Sequence, residues 1–146
     1  MATIPVFNPS VPFLGEIPGG MAIGKKLHIR GQILTPEGMF NVNVQSGGAV
    51  QPRDDTPLHI SIRIADQVVV LNSFEGGAWQ QEERHGGRPV REGEAFELTI
   101  KAKEGYFKVE INGKKVGKFE HRLPVEMARY VHVGEGAVIE SITESW

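Results

Sequence analysis

The sequence predicts an all-β fold of antiparallel strands, a sandwich or jelly roll, and three observations carry that expectation. The apolar period is two along most of the chain, glycine-rich turn signals separate the apolar runs, and no window of helical length keeps an i, i+3, i+4 stripe. Leu27, Ile29 and Ile33 alternate with His28, Arg30 and Gln32. Phe40, Val42 and Val44 alternate with Asn41, Asn43 and Gln45. Leu58, Ile60, Ile62 and Ile64 alternate with His59, Ser61, Arg63 and Ala65. Phe96, Leu98 and Ile100, then Phe107, Val109 and Ile111, repeat the pattern with polar partners. Each run reads as a half-buried strand, apolar inward and polar outward. Val68 to Leu71 is apolar on both parities, so its outer face is expected to be partly covered.

Turn chemistry punctuates these runs. Thr35-Pro36-Glu37-Gly38 reads as a tight turn, Gly47-Gly48 opens a polar loop through Asp55, and Gly76-Gly77 and Gly86-Gly87 follow. Asn112-Gly113 is the strongest hairpin signal, because a type I′ turn needs positive φ at both central residues. Leu123 to Met127 has room for one short helical turn.

A length of 146 residues suits a single domain spanning 1–146, with a proline-rich arm at 1–12 that adds edge strands. Sixteen basic residues against eighteen acidic ones leave a formal charge of -2, too little field for nucleic acid and no polybasic run for a membrane surface. Cysteine is absent, so the fold needs no disulfide. The N-terminal stretch lacks the basic and apolar regions of a signal peptide, and no run is long enough to span a bilayer. His28, His85, His121 and His132 have no ligand spacing with acidic residues, so no metal or cofactor is expected.

The polar side of the middle strands is the informative part. His59, Ser61 and Arg63 project from one face of a strand, and Val70 and Asn72 should follow on its neighbour. Trp79 then opens a third strand, but Glu82 and Arg84 differ from it in parity, which calls for a bulge or for an indole just outside the regular strand. Arg63, Glu82 and Arg84 can form a charge-assisted lattice of fixed donors and acceptors. An indole beside that lattice offers an apolar ring face. The set suits a shallow, polar, neutral ligand with one apolar face: a pyranose whose C–H face lies on Trp79 while an axial hydroxyl reaches His59 and Arg63. Asn41, Asn43 and Gln45 would extend this face, either as a subsite for a further sugar or as a hydrated surface.

Leu58-His59-Ile60-Ser61-Ile62-Arg63, Val70-Leu71-Asn72-Ser73-Phe74 and Trp79-Gln80-Gln81-Glu82-Glu83-Arg84 resemble the carbohydrate-recognition signature of the galectins. Gly19-Gly20-Met21, Leu27 to Gly31, Phe107 to Gly113 and Phe119 to Pro124 match too, so the resemblance runs from about Phe13 to about Glu144. It implies a galectin-like jelly-roll sandwich of two antiparallel sheets, related to the concanavalin A-like lectins, that binds β-galactosides such as lactose on its concave sheet without calcium. It places His59, Arg63, Asn72, Trp79, Glu82 and Arg84 on the sugar, with Val70 as an apolar wall. It implies galactose-containing glycans as partners, with useful affinity coming from a homodimer or from clustered glycans. It also implies a cytoplasmic protein, an extracellular one reached by a signal-peptide-independent route, or both.

One departure stands out. Ser61-Ile62 replaces the usual Asn-Pro, as in invertebrate galectin-like domains. Ile62 faces inward and suits a strand, whereas Ser61 faces the ligand with a shorter group than a carboxamide. The expectation is weakened or altered galactoside recognition. The rival is a galectin-like fold that has lost galactose and acts as a protein-interaction module. Glu82 and Glu83 point to opposite faces and make a poor catalytic pair, so no enzyme is expected.

Overall fold

The computed structural model describes residues 2–34, 38–86, 90–91 and 93–146. In chain order its strands are β1 (Ala2–Thr3), β2 (Val6–Phe7), β3 (Phe13–Glu16), β4 (Lys26–Ile33), β5 (Met39–Gln45), β6 (Thr56–Arg63) and β7 (Val68–Glu75). They continue as β8 (Ala78–Trp79), β9 (Glu83–Gly86), β10 (Ala95–Ala102), β11 (Tyr106–Ile111), β12 (Lys114–Glu120), β13 (Tyr130–Val133) and β14 (Ala137–Ser145). The short helical turn expected before Met127 is a 3-10 turn, Val125–Met127.

The strands form two sheets. One runs β1-β3-β13-β5-β6-β7-β8, with β9 also on β7; the other runs β12-β11-β10-β4-β14-β2. Pairing is antiparallel except between β1 and β3. The proline-rich arm is part of the sandwich: β1 edges the first sheet, β2 edges the second, and Ile4 between them is buried in the core. The alternating residues behave as their period requires. Leu27, Ile29, Val42, Val44, Leu58, Ile60, Ile62, Leu98, Ile100, Phe107 and Val109 are fully enclosed between the sheets. Phe40 of β5 meets Phe96 of β10 across that interface, ring centroids 5.4 Å apart.

Turns behave as their residues require. Asn112 and Gly113 both take positive φ, at 53° and 78°, and join β11 to β12. Asn112 Oδ1 also accepts from Glu97 N at 2.8 Å, tying this turn to β10. Gln67 takes φ of 53° in the β6–β7 turn. The expected turn at Thr35-Pro36-Glu37 and the Gly87 half of Gly86-Gly87 lie outside the described residues.

Register on the first sheet builds the site. His132, Asn43, His59 and Asn72 are successive cross-strand partners, so they form one row across β13, β5, β6 and β7. Asn41, Ser61, Val70 and Arg84 form the next row across β5, β6, β7 and β9. All eight share the sheet's outer face. The third strand is interrupted. Leu71 pairs with Glu83 and Phe74 with Trp79, so β7 advances three residues while the facing chain advances four. The extra residue resolves the parity conflict: it brings Trp79 round to the face that carries Arg84. Gly76 and Gly77, with φ of 60° and 84°, make the tight turn that returns the chain to Trp79.

Candidate functional site

The outer face of β5, β6 and β7, with the segment from Ala78 to Arg84, encloses an open depression of about 410 Å³. That lies in the lower part of the range for small-ligand sites. Its lining contains His59, Ser61, Arg63, Val70, Asn72, Trp79 and Glu82 from the expected set, together with Asn41, Met39 and Gln80. Arg84 stands behind Glu82, its Nε 2.9 Å from Glu82 Oε1. Both side chains are about half exposed, so the pair adds little stability, but it fixes where the carboxylate points.

Trp79 is 47% exposed. Its ring packs on His59, centroids 4.4 Å apart and tilted 55°, and its other support is the edge of Phe74 at 4.9 Å. Two aromatic contacts hold the indole upright and leave a face to solvent. His59 is held from the other side: its Nδ1 lies 2.7 Å from Asn43 Oδ1. An amide oxygen only accepts, so Nδ1 carries the proton and Nε2 is a bare acceptor. Burial lowers the His59 pKa to about 4, helped by the Arg53 and Arg63 charges. The ring is therefore neutral near neutral pH.

A pH profile follows from that shift. Above pH 6.5 the ring is neutral whether the chain is folded or not. Between 6.5 and about 4 only the unfolded chain takes up the proton, so stability falls as pH drops through that window. Nε2 keeps its acceptor role down to about pH 5 and loses it as the ring protonates near 4. The His59 ring resonances, followed by NMR from pH 8 to pH 3 with and without lactose, should titrate near 4 and not near 6.5.

Asn72 is nearly buried and mostly committed. Its Nδ2 donates to Gln80 O at 3.0 Å, and its Oδ1 accepts from Ser73 N at 2.8 Å and from Arg122 Nη1 at 3.2 Å. One N–H of the amide stays available to a ligand. Ser61 lies at the floor, 1% exposed, where its hydroxyl accepts from Arg63 Nε at 3.3 Å. Val70, also 1% exposed, forms the apolar part of that floor. Val68, Val70 and Asn72 are all buried or nearly so, as the two-sided apolar run of β7 implies.

The expected lattice of Arg63, Glu82 and Arg84 is only partly formed. Glu82 pairs with Arg84, whereas Arg63 bonds Ser61 and has no carboxylate within 4.0 Å among the described residues. Of the flanking trio, Asn43 positions His59 and Asn41 lines the depression. Gln45 is fully enclosed, its amide spent on Gly47 O, Ala49 O and Arg53. His28 bridges Thr99 and Ser145, and His121 bonds Lys103 O, both away from this face.

Three contributors escape sequence reasoning: Gln80, Met39 and Arg122. Met39 shares parity with Asn41, which could have flagged it; it is half exposed at the rim. Arg122 carries no local signal. It reaches from beyond β12 to donate to Ser73 Oγ at 3.1 Å, Asn72 Oδ1 and Gln81 O at 2.6 Å, and lies 3.4 Å from Glu83 Oε2. It clamps the interrupted strand from behind, and Glu83 turns to it and away from Glu82.

This chain is similar to known proteins along nearly its whole length. A family profile described as galactoside-binding lectin matches residues 12–144. Galectin-4 of Bos taurus is 36% identical over 139 residues, covering 94% of this chain and 41% of that protein. Galectin-7 of Homo sapiens is 35% identical over 133 residues, covering 91% of this chain and 96% of that protein. The crystal structure of Caenorhabditis elegans galectin LEC-6 superposes with a TM-score of 0.85 at 25% identity, covering 97% of this chain and 96% of that one. The chain thus spans about two fifths of the galectin-4 relative and nearly all of galectin-7. With the jelly-roll sandwich and the family match over residues 12–144, the chain belongs to the galactoside-binding lectins, the galectins.

Proposed function

We propose that this chain is a lectin that holds the galactose ring of β-galactoside glycans on the outer face of the first sheet, without metal and without chemical turnover. The observation that carries the reading is a half-exposed indole braced against a neutral imidazole whose free nitrogen can only accept. The C–H face of galactose lies on Trp79. Its axial hydroxyl donates to His59 Nε2 and accepts from Arg63. An equatorial hydroxyl, as in glucose, leaves both groups unpaired and costs about 1–3 kcal/mol for each buried group left so. Asn72 and Glu82, the latter steadied by Arg84, take hydroxyls on the ring and on the next sugar. Glu82 and Glu83 are engaged by different arginines and do not work as an acid–base couple.

The shallow site gives roughly millimolar affinity for a disaccharide, about -4 kcal/mol. Working affinity then comes from multivalency, through paired copies or clustered glycans. The test is a lactose titration read by tryptophan fluorescence in a Trp146→Phe background, which leaves Trp79 as the sole indole of two. Saturable change at millimolar lactose, with none from cellobiose, is expected. A flat trace at far higher lactose refutes the reading.

Ser61 tunes this site. Its hydroxyl sits at the floor, and a carboxamide there would reach up to a ring hydroxyl. Ser61→Asn should tighten lactose binding by a few-fold, the worth of about one neutral hydrogen bond. Weaker binding by that variant, in the same titration, would mean the floor is shaped for another sugar.

A further inference from the structure

The second sheet carries a basic row that the galactose site does not use. Lys26 of β4, Lys101 of β10, Lys108 of β11 and Lys118 of β12 are successive cross-strand partners, so four ammonium groups stand in single file across four neighbouring strands. Their neighbours in sequence, Leu27, Ile100, Phe107 and Phe119, are enclosed in the core, which puts all four lysines on the sheet's outer face, on the opposite side of the sandwich from Trp79. No stretch of the sequence is polybasic; register alone gathers these charges.

Like charges directly opposite each other destabilise a sheet, and this row holds three such pairs in succession. Among the described residues, Lys26, Lys101 and Lys118 have no carboxylate within 4.0 Å, and Lys108 has Glu110 at 3.8 Å. Lys118 lies instead over the Tyr106 ring, 4.8 Å from its centroid.

The width and spacing of the row decide what it fits. On one side Tyr106 faces Glu120, and on the other His28, Thr99, Glu110 and Lys115 line up, so each flanking row carries a carboxylate. The purely basic line is one residue wide. A bilayer of anionic lipid would meet Glu110 and Glu120 along with the lysines, whereas a single linear chain meets the lysines alone. Neighbouring lysines leave the sheet one strand spacing apart, about 4.8 Å, close to the advance of one pyranose unit along a polysaccharide. An extended acidic peptide presents same-face side chains every two residues, about 6.6 Å, and runs out of step with the row. Single-stranded nucleic acid needs open aromatic faces for its bases, and the tyrosine beside the row is covered by Lys118.

We propose that Lys26, Lys101, Lys108 and Lys118 bind a linear sulfated polysaccharide laid across the strands of the second sheet, one anionic ring to each lysine. The site is separate from the galactose depression, so both can be occupied together.

The probe is a heparin dodecasaccharide, titrated by calorimetry into wild type, Lys101→Gln/Lys108→Gln, Lys101→Arg/Lys108→Arg and a control that loses equal charge off the row, Lys114→Gln/Lys115→Gln. Removing the middle pair should weaken heparin binding about tenfold or more and reduce the slope of log Kd against log salt by about 1–2, the worth of two ionic contacts. The arginine pair and the off-row control should stay within about threefold of wild type. The glutamine pair should melt no lower than wild type, because it removes like-charge contacts. Lys26→Gln/Lys118→Gln should weaken binding from the ends of the row and gives the same readout independently. Saturating lactose should leave heparin binding unchanged. No heparin binding by wild type, displacement of heparin by lactose, or equal losses in the middle pair and the off-row control overturns the site. Polyglutamate, oligo-dT and phosphatidylserine vesicles are run in parallel; binding as tight as heparin's and equally dependent on Lys101 and Lys108 overturns the assignment to a polysaccharide. A protein silent toward lactose that still binds heparin through the row refutes the galactoside reading and leaves this one standing.

Discussion

Trp79→Ala should remove lactose binding almost completely and leave the fold nearly untouched. The ring supplies a large apolar surface in the depression, and removing it forfeits about 1.5–3 kcal/mol of contact with the sugar's C–H face, a loss of roughly tenfold to a hundredfold. From a millimolar start, that puts binding beyond measurement by isothermal titration. Stability should change by about 1 kcal/mol or less, because the ring is half exposed and leans on only His59 and Phe74. A glycan array with wild type beside the variant extends the test to natural sugars. Signals that persist unchanged in the variant would show that glycans dock elsewhere on the molecule.

Arg122→Ala should damage both stability and binding, although the side chain does not line the depression. Removing it strands Asn72 Oδ1, Ser73 Oγ and Gln81 O, and frees Glu83 from its cation. Hydrogen bonds from a charged donor are worth about 1.5–3 kcal/mol each when partly buried, but water reaches some of these groups after truncation. A net loss of about 2–3 kcal/mol is expected, which lowers the melting temperature by roughly 5–10 °C for a chain of this size. Binding should weaken about tenfold, because Gln80, Gln81 and Glu82 lose the anchor that holds them under Trp79 and Asn72. Arg122→Lys should recover little, since one ammonium cannot reach three separated acceptors in fork geometry. If Arg122→Ala melts and binds like wild type, the clamp has no energetic role.

Most of the sandwich was legible because period two is a local property. Leu58, Ile60 and Ile62 declare an inner face by themselves, and His59, Ser61 and Arg63 must then share the outer one. The hairpin at Asn112-Gly113 was equally plain, since few other residue pairs tolerate positive φ twice in succession. The site was legible to the extent that it sits on those strands. What escaped was whatever depends on reach across the chain. Arg122 acts on residues about fifty positions earlier in sequence, and Arg53 is placed by a loop folding back on Gln45. No spacing rule encodes either contact. The missing Arg63–Glu82 link is a matter of distance, set by how far the interrupted strand stands from β6. Gln45 fell on the expected face but proved to be a peg for the loop, because a buried amide must satisfy its own hydrogen bonds before it can serve a ligand.

The unequal count opposite β7 also constrains which length changes this lectin can tolerate. Loss of one residue from Gln80-Gln81 would make both chains advance in step between Leu71 and Phe74 and keep the indole on the side that carries Arg84, but it would remove the bulge that carries Gln81 O to Arg122. Removal of two would turn the indole to the side of the sheet that carries Glu83 and delete the span that reaches Arg122. Drift in this family should therefore change the identity of those residues far more readily than their number.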